Sequence, residues 1–135
     1  MAFQGNFTCN SFKEALLKGD VDFLVDTIKI ALYTNSATLN ASTTAYTSTD
    51  EVVATGYAAG GNTLTPTVTL SDGIAFVDFA DTTWNGAFTA RGALIYKSGG
   101  TAICVLDFGD DKISTTTFQV AFPANTSSSA LIRIA

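Results

Sequence analysis

TTWNGAFTARGALIYKSGGTAICVLDF, residues 82–108, holds the chain's one Trp and its clearest pair of strand segments. Ala93–Tyr96 and Thr101–Leu106 are β-branched and aromatic runs on either side of Lys97-Ser98-Gly99-Gly100, the pattern of a β-hairpin. Neither arm alternates apolar with polar residues. A strand that is apolar at nearly every position has both faces covered, so this hairpin is expected at the centre of a sheet.

Outward from it, the C-terminal half reads as strand after strand. Thr67–Leu70 runs into Ser71-Asp72-Gly73 and Ile74–Phe79 returns, a second hairpin. Trp84 and Phe88 flank Asn85-Gly86, and after a turn expected at Gly109-Asp110-Asp111-Lys112 come strands over Ser114–Phe122 and Ala130–Ile134. On the N-terminal side Ile28–Thr34 alternates and breaks at Asn35-Ser36, and with Val21–Thr27 leading into it the pattern predicts a first long strand. Ser11-Phe12-Lys13-Glu14 has the form of a capping box, and Ala15-Leu16-Leu17-Lys18-Gly19 supplies a basic last turn and a glycine stop, which predicts one short helix over 12–18. About eight short strands with turn signals between them make an all-β, antiparallel β-sandwich, and the long crossing connection of residues 35–61 favours a jelly-roll-like arrangement over a meander.

The chain has 135 residues, enough for one core, and only 14% of them are charged, so Thr and Ser must build much of the surface. Residues 1–10, with Phe3 and Phe7 among small and polar neighbours, read as an N-terminal arm, and 11–135 as a single domain. Phenylalanines in such an arm either tuck onto their own domain or reach a partner. Residues 35–61 are rich in Thr, Ser and Asn, with Leu39, Tyr46 and Tyr57 as large apolar exceptions; a connection this long often lies against a partner.

Most chemistry lacks its parts. Seven scattered Lys and Arg in a chain of net charge −5 argue against nucleic acid, and no apolar run reaches membrane-span length. No basic n-region opens the chain, so synthesis and retention in a reducing cytoplasm are expected. There is no His, and Cys9 and Cys104 stand far apart, which excludes a structural zinc site and predicts a buried thiol at Cys104. The glycines of 56–61 form no phosphate loop, since no Gly-Lys-Ser/Thr follows. Val77-Asp78-Phe79-Ala80-Asp81 and Leu106-Asp107-Phe108-Gly109-Asp110 look alike. Their carboxylates suit a Ca²⁺ site or a glycosidase pair, and more simply turns in which each Asp accepts backbone N–H bonds, the preferred reading. No cofactor, metal or catalytic residue is expected. Trp84 with Tyr57, Phe88 and Tyr96 could stack a sugar, but sandwich cores take aromatics routinely, and burial of Trp84 is the expectation.

Several segments taken in order, Asn10–Glu14, Ile30–Leu39, Glu51–Val52 with Thr55–Gly61, Phe88–Tyr96 and Ala130–Ile134, resemble a family of small virion structural proteins of tailed bacteriophages. The likeness spans nearly the whole chain. It implies a capsid cement or decoration protein: a non-enzymatic, homo-oligomeric (dimeric or trimeric) module, made in the host bacterial cytoplasm, that sits on the capsid exterior and bridges neighbouring major capsid subunits. Tail, fibre-base and host-glycan-binding components share these traits. Phe3, Phe7, Leu39, Tyr46 and Tyr57 are then the candidate contacts, in segments expected to order only on docking. Deletion of residues 1–8 is expected to leave a folded protein that no longer occupies capsids.

Overall fold

The computed structural model describes residues 5 to 134, an antiparallel, sandwich-like all-β fold with one helix. The hairpin read first from sequence forms β7 (Thr89–Lys97) and β8 (Ala102–Ile113), closed by Lys97 N–H to Thr101 C=O at 2.9 Å. It lies at the centre of a five-stranded sheet, as its continuous apolar runs require. β2 (Ile28–Tyr33) pairs with β7, and β1 (Phe7–Thr8) with β8; β3 (Asn62–Thr63) extends the sheet beyond β2. Ala93–Tyr96 and Ala102–Val105 are all buried.

A second, three-stranded sheet holds β4 (Pro66–Ser71), β5 (Ile74–Phe79) and β10 (Ile132–Ile134), in the order β10-β5-β4. Its hairpin turns on Asp72-Gly73 with φ of 55° and 75°, the left-handed pair that a two-residue turn of this hand needs. β6 (Thr82–Asn85) and β9 (Thr117–Val120) form a third, two-stranded sheet. Ten strands are therefore described where about eight were expected, the additional ones being two- to four-residue pieces. The long first strand is shorter than predicted, because residues 23–25 turn, with Asp26 Oδ2 accepting the Asp22 N–H at 2.8 Å.

Helix α1 spans Asn10–Lys18 and ends at Gly19, whose φ of 75° lets its N–H reach back to the Ala15 and Leu16 carbonyls. Its start differs from the capping box. Cys9 is the N-cap, and Ser11 Oγ instead meets Thr101 Oγ1 at 2.7 Å, tying the helix to the central hairpin. The turn expected at 109–112 is also absent: β8 runs on through those residues because Lys112 and Ile113 pair with Ala90 and Thr89.

Phe12, Phe23, Phe79 and Phe122 form one chain of ring contacts, and Tyr57, Trp84, Phe118 and Phe88 another. Both belong to a single core.

Candidate interaction surface

Phe7–Asn10 of the predicted arm, and the predicted loop, are parts of the domain. Phe3 lies outside the described residues. Phe7 pairs with Val105 in β1, half-buried against the core, and the Cys9 N–H bonds the Ile103 C=O at 2.8 Å. Phe7–Thr8 are thus a strand and Cys9–Asn10 the helix start, not an arm, and deletion of 1–8 removes a paired strand. The physical reason is the open edge of β8, whose donors and acceptors this segment satisfies.

Residues 35–61 are likewise tied down, and their anchor is Glu51. This carboxylate is 5% exposed. Its Oε1 accepts the Tyr46 hydroxyl at 2.6 Å; Oε2 accepts the Tyr57 hydroxyl at 2.5 Å and the Gly60 N–H at 2.8 Å. Tyr57 oxygen in turn accepts the Leu32 N–H at 2.9 Å, and the Val52 N–H donates to the Leu32 C=O at 3.0 Å. β3 covers β2 only at Lys29 and Ile30, so beyond it the Glu51 cluster stands in for a neighbouring strand at the Leu32 edge. Tyr46 stacks on Tyr96 at 4.9 Å, and the Tyr33 hydroxyl bonds the Thr47 C=O, so the segment also covers the Tyr33–Tyr96 face of the central sheet. Leu39 and Tyr57 are buried in the domain's own core and Tyr46 is partly so, which corrects the expectation that they order only against a partner. Burial, then the Glu51 charge, pushes the Tyr96 hydroxyl up to about 12. Tyr33, Tyr46 and Tyr57 are raised further, by burial first and then by Glu51. Nothing in Thr-Asp-Glu-Val-Val distinguished Glu51 from a surface acid; the flanking Tyr46 and Tyr57 were its one signal.

The four aspartates have separate surroundings. Asp81 accepts the Phe122 N–H at 2.8 Å, and Asp110 the Asp111 N–H at 3.0 Å. Asp107 accepts the Gly109 N–H at 2.8 Å and forms an ion pair with Arg91 across the central hairpin. Asp78 is different: it is buried mid-strand on β5, its Oδ1 has no protein partner, and burial raises its pKa. Among the described residues no three His, Cys, Asp or Glu side chains converge as metal ligands. Trp84 is 3% exposed and offers no platform for a sugar. Cys104 is a buried free thiol, as is Cys9, which burial holds up to about 11.

Sequence reasoning passed over one surface that the fold leaves open. α1 lies beside β10, and between them runs a groove of about 670 Å³. Leu16 and Leu17 line one wall, Ile132 and Ile134 the other, with Lys13 and Arg133 among the lining side chains. Leu17 is 91% and Ile134 52% exposed. An apolar channel that includes two exposed cations suits a segment with apolar side chains and a carboxylate. Its walls come from opposite ends of the sequence, so no local pattern announces it. No helix among the described residues is long and apolar enough to cross a membrane. Comparison of the chain with protein-family models, with curated proteins and with solved structures returns no match.

Proposed function

We propose that the chain is a structural protein of a tailed-phage virion, a capsid cement or decoration protein that binds the outer shell and bridges neighbouring major capsid subunits. The observation that carries the reading is the α1–β10 groove, an apolar surface with cations in a chain of net charge −5. A module that adheres to a repeating protein surface needs such a patch, and a soluble monomer without a partner gains nothing from Leu17 and Ile134 in water. The rest of the support is the ordered family likeness along the chain. The groove replaces Phe7 and the loop as the docking element, since those are occupied by their own domain. A host-glycan module built on an exposed Trp84 is disfavoured by the burial of that ring.

The test is occupancy of undecorated capsids, read by co-sedimentation. Leu17→Glu combined with Ile134→Glu changes two exposed positions, so the fold is retained and occupancy falls at least tenfold. Full occupancy by the double variant removes the groove from the account. Capsids equally resistant to heat with and without the native protein remove the cement role, and binding to tails instead of shells moves the protein to the tail.

A further inference from the structure

Strand β4 lies at the rim of the three-stranded sheet, and among the described residues no strand pairs with its outer side. Edge strands are ordinarily blunted by a charge, an interior proline or a bulge. Pro66-Thr67-Val68-Thr69-Leu70-Ser71 has none of these: it is uncharged, its proline is the first residue, and its register with β5 is continuous. Val68 is 46% and Leu70 75% exposed, side by side on one face.

We infer that β4 pairs antiparallel with β4 of a second copy, about a two-fold axis at Thr69. The hydrogen-bond phase selects this register. Thr65 and Ala80 continue the β4–β5 register, and the Ala80 N–H bonds the Thr65 C=O at 3.1 Å. By alternation Thr67, Thr69 and Ser71 bond inward to β5, which leaves the N–H and C=O of Val68 and Leu70 aimed outward. With the axis at Thr69, Val68 of each copy meets Leu70 of the other, and both outward pairs are satisfied in each direction. An axis at Val68 drives the Pro66 ring, which occupies the place of an outward N–H, into the opposing Leu70 carbonyl. An axis at Leu70 sets Val68 against Asp72, which has turned away with φ of 55°.

Side chains follow the same symmetry. Val68 and Leu70 form two cross-strand apolar pairs on one face; on the other, Thr69 faces Thr69 and Thr67 faces Ser71. Six residues span about 20 Å, so the contact falls below the roughly 1,200 Å² of stable interfaces. The dimer is therefore concentration-dependent, and since each copy carries a net charge of −5, added salt strengthens it. This deepens the oligomer in the reading above, but the test uses free protein, so its failure leaves capsid attachment standing.

In sedimentation velocity the native chain shows a dimer fraction that rises with concentration and salt, whereas Leu70→Lys stays monomeric with an unchanged melting temperature. Thr69→Cys fixes the register, because facing residues in a non-hydrogen-bonded pair lie about 4.5 Å apart, within disulfide reach, and the native thiols are buried. Under mild oxidation it yields covalent dimer at least tenfold faster than Thr67→Cys. A native chain that is monomeric up to its solubility limit, a Leu70→Lys variant that dimerises like the native chain, or equal cross-linking at both positions overturns the inference.

Discussion

Glu51 is a carboxylate that three donors hold below the surface, two of them tyrosine hydroxyls, and its loss strands those donors in a dry setting. Replacement by glutamine keeps the shape but presents an NH₂ where an acceptor is needed, and Tyr57 oxygen already accepts the Leu32 N–H. Glu51→Gln is expected to cost about 1–3 kcal/mol, read as a lower urea midpoint at unchanged slope. The tyrosines of the cluster set a limit on the alkaline side. Their folded pKa values lie above the ordinary 10.0, so the folded chain keeps protons that the unfolded chain has released. That stability is complete below pH 10.0 and is lost as pH rises through the folded values, with Cys9 adding the same sign between its ordinary 9.0 and about 11. The melting temperature should fall continuously above about pH 9, and tyrosinate absorbance should appear together with unfolding; tyrosines titrating near 10.0 in the folded protein would show that the cluster is open to solvent.

Elements were legible where turn chemistry and periodicity agreed. Lys97-Ser98-Gly99-Gly100 and Asp72-Gly73 each closed the expected hairpin, because the arms beside them carry strand patterns. Local signals fail where they meet a tertiary competitor: Ser11 bonds Thr101 rather than capping α1, and Gly109–Lys112, which carry turn residues, stay in β8 because β7 pairs with Lys112 and Ile113. The Gly60-Gly61 pair has its reason in the structure. Gly61 has φ of 78°, and a Cβ there would sit 1.7 Å from the Ile30 carbonyl oxygen. Gly61→Ala should therefore cost more than the roughly 1–3 kcal/mol of its backbone conformation, since a strand must also move. Gly73→Ala, with φ of 75° and open space around it, should cost only the conformational part, and paired urea titrations compare the two.

At the scale of the molecule, the all-β class and the central place of one hairpin could be read from the chain, but the open groove between α1 and β10 could not. The groove joins residues 13–17 to residues 132–134, and the Glu51 cluster joins a connection to the edge of β2; neither leaves a mark in local composition. The same distant pairing governs how the chain comes into being. Phe7 is matched to Val105 and Ile28 to Lys97, so β1 waits for β8, and β2, paired before then only with the two residues of β3, waits for β7. At about 5–20 residues per second the apolar Ile28–Tyr33 segment waits several seconds in a nascent chain, the interval in which chaperones and wrong neighbours compete for it. High-level production is expected to be limited by that wait, and slowing translation before residue 89, which lengthens it, is expected to lower the soluble yield.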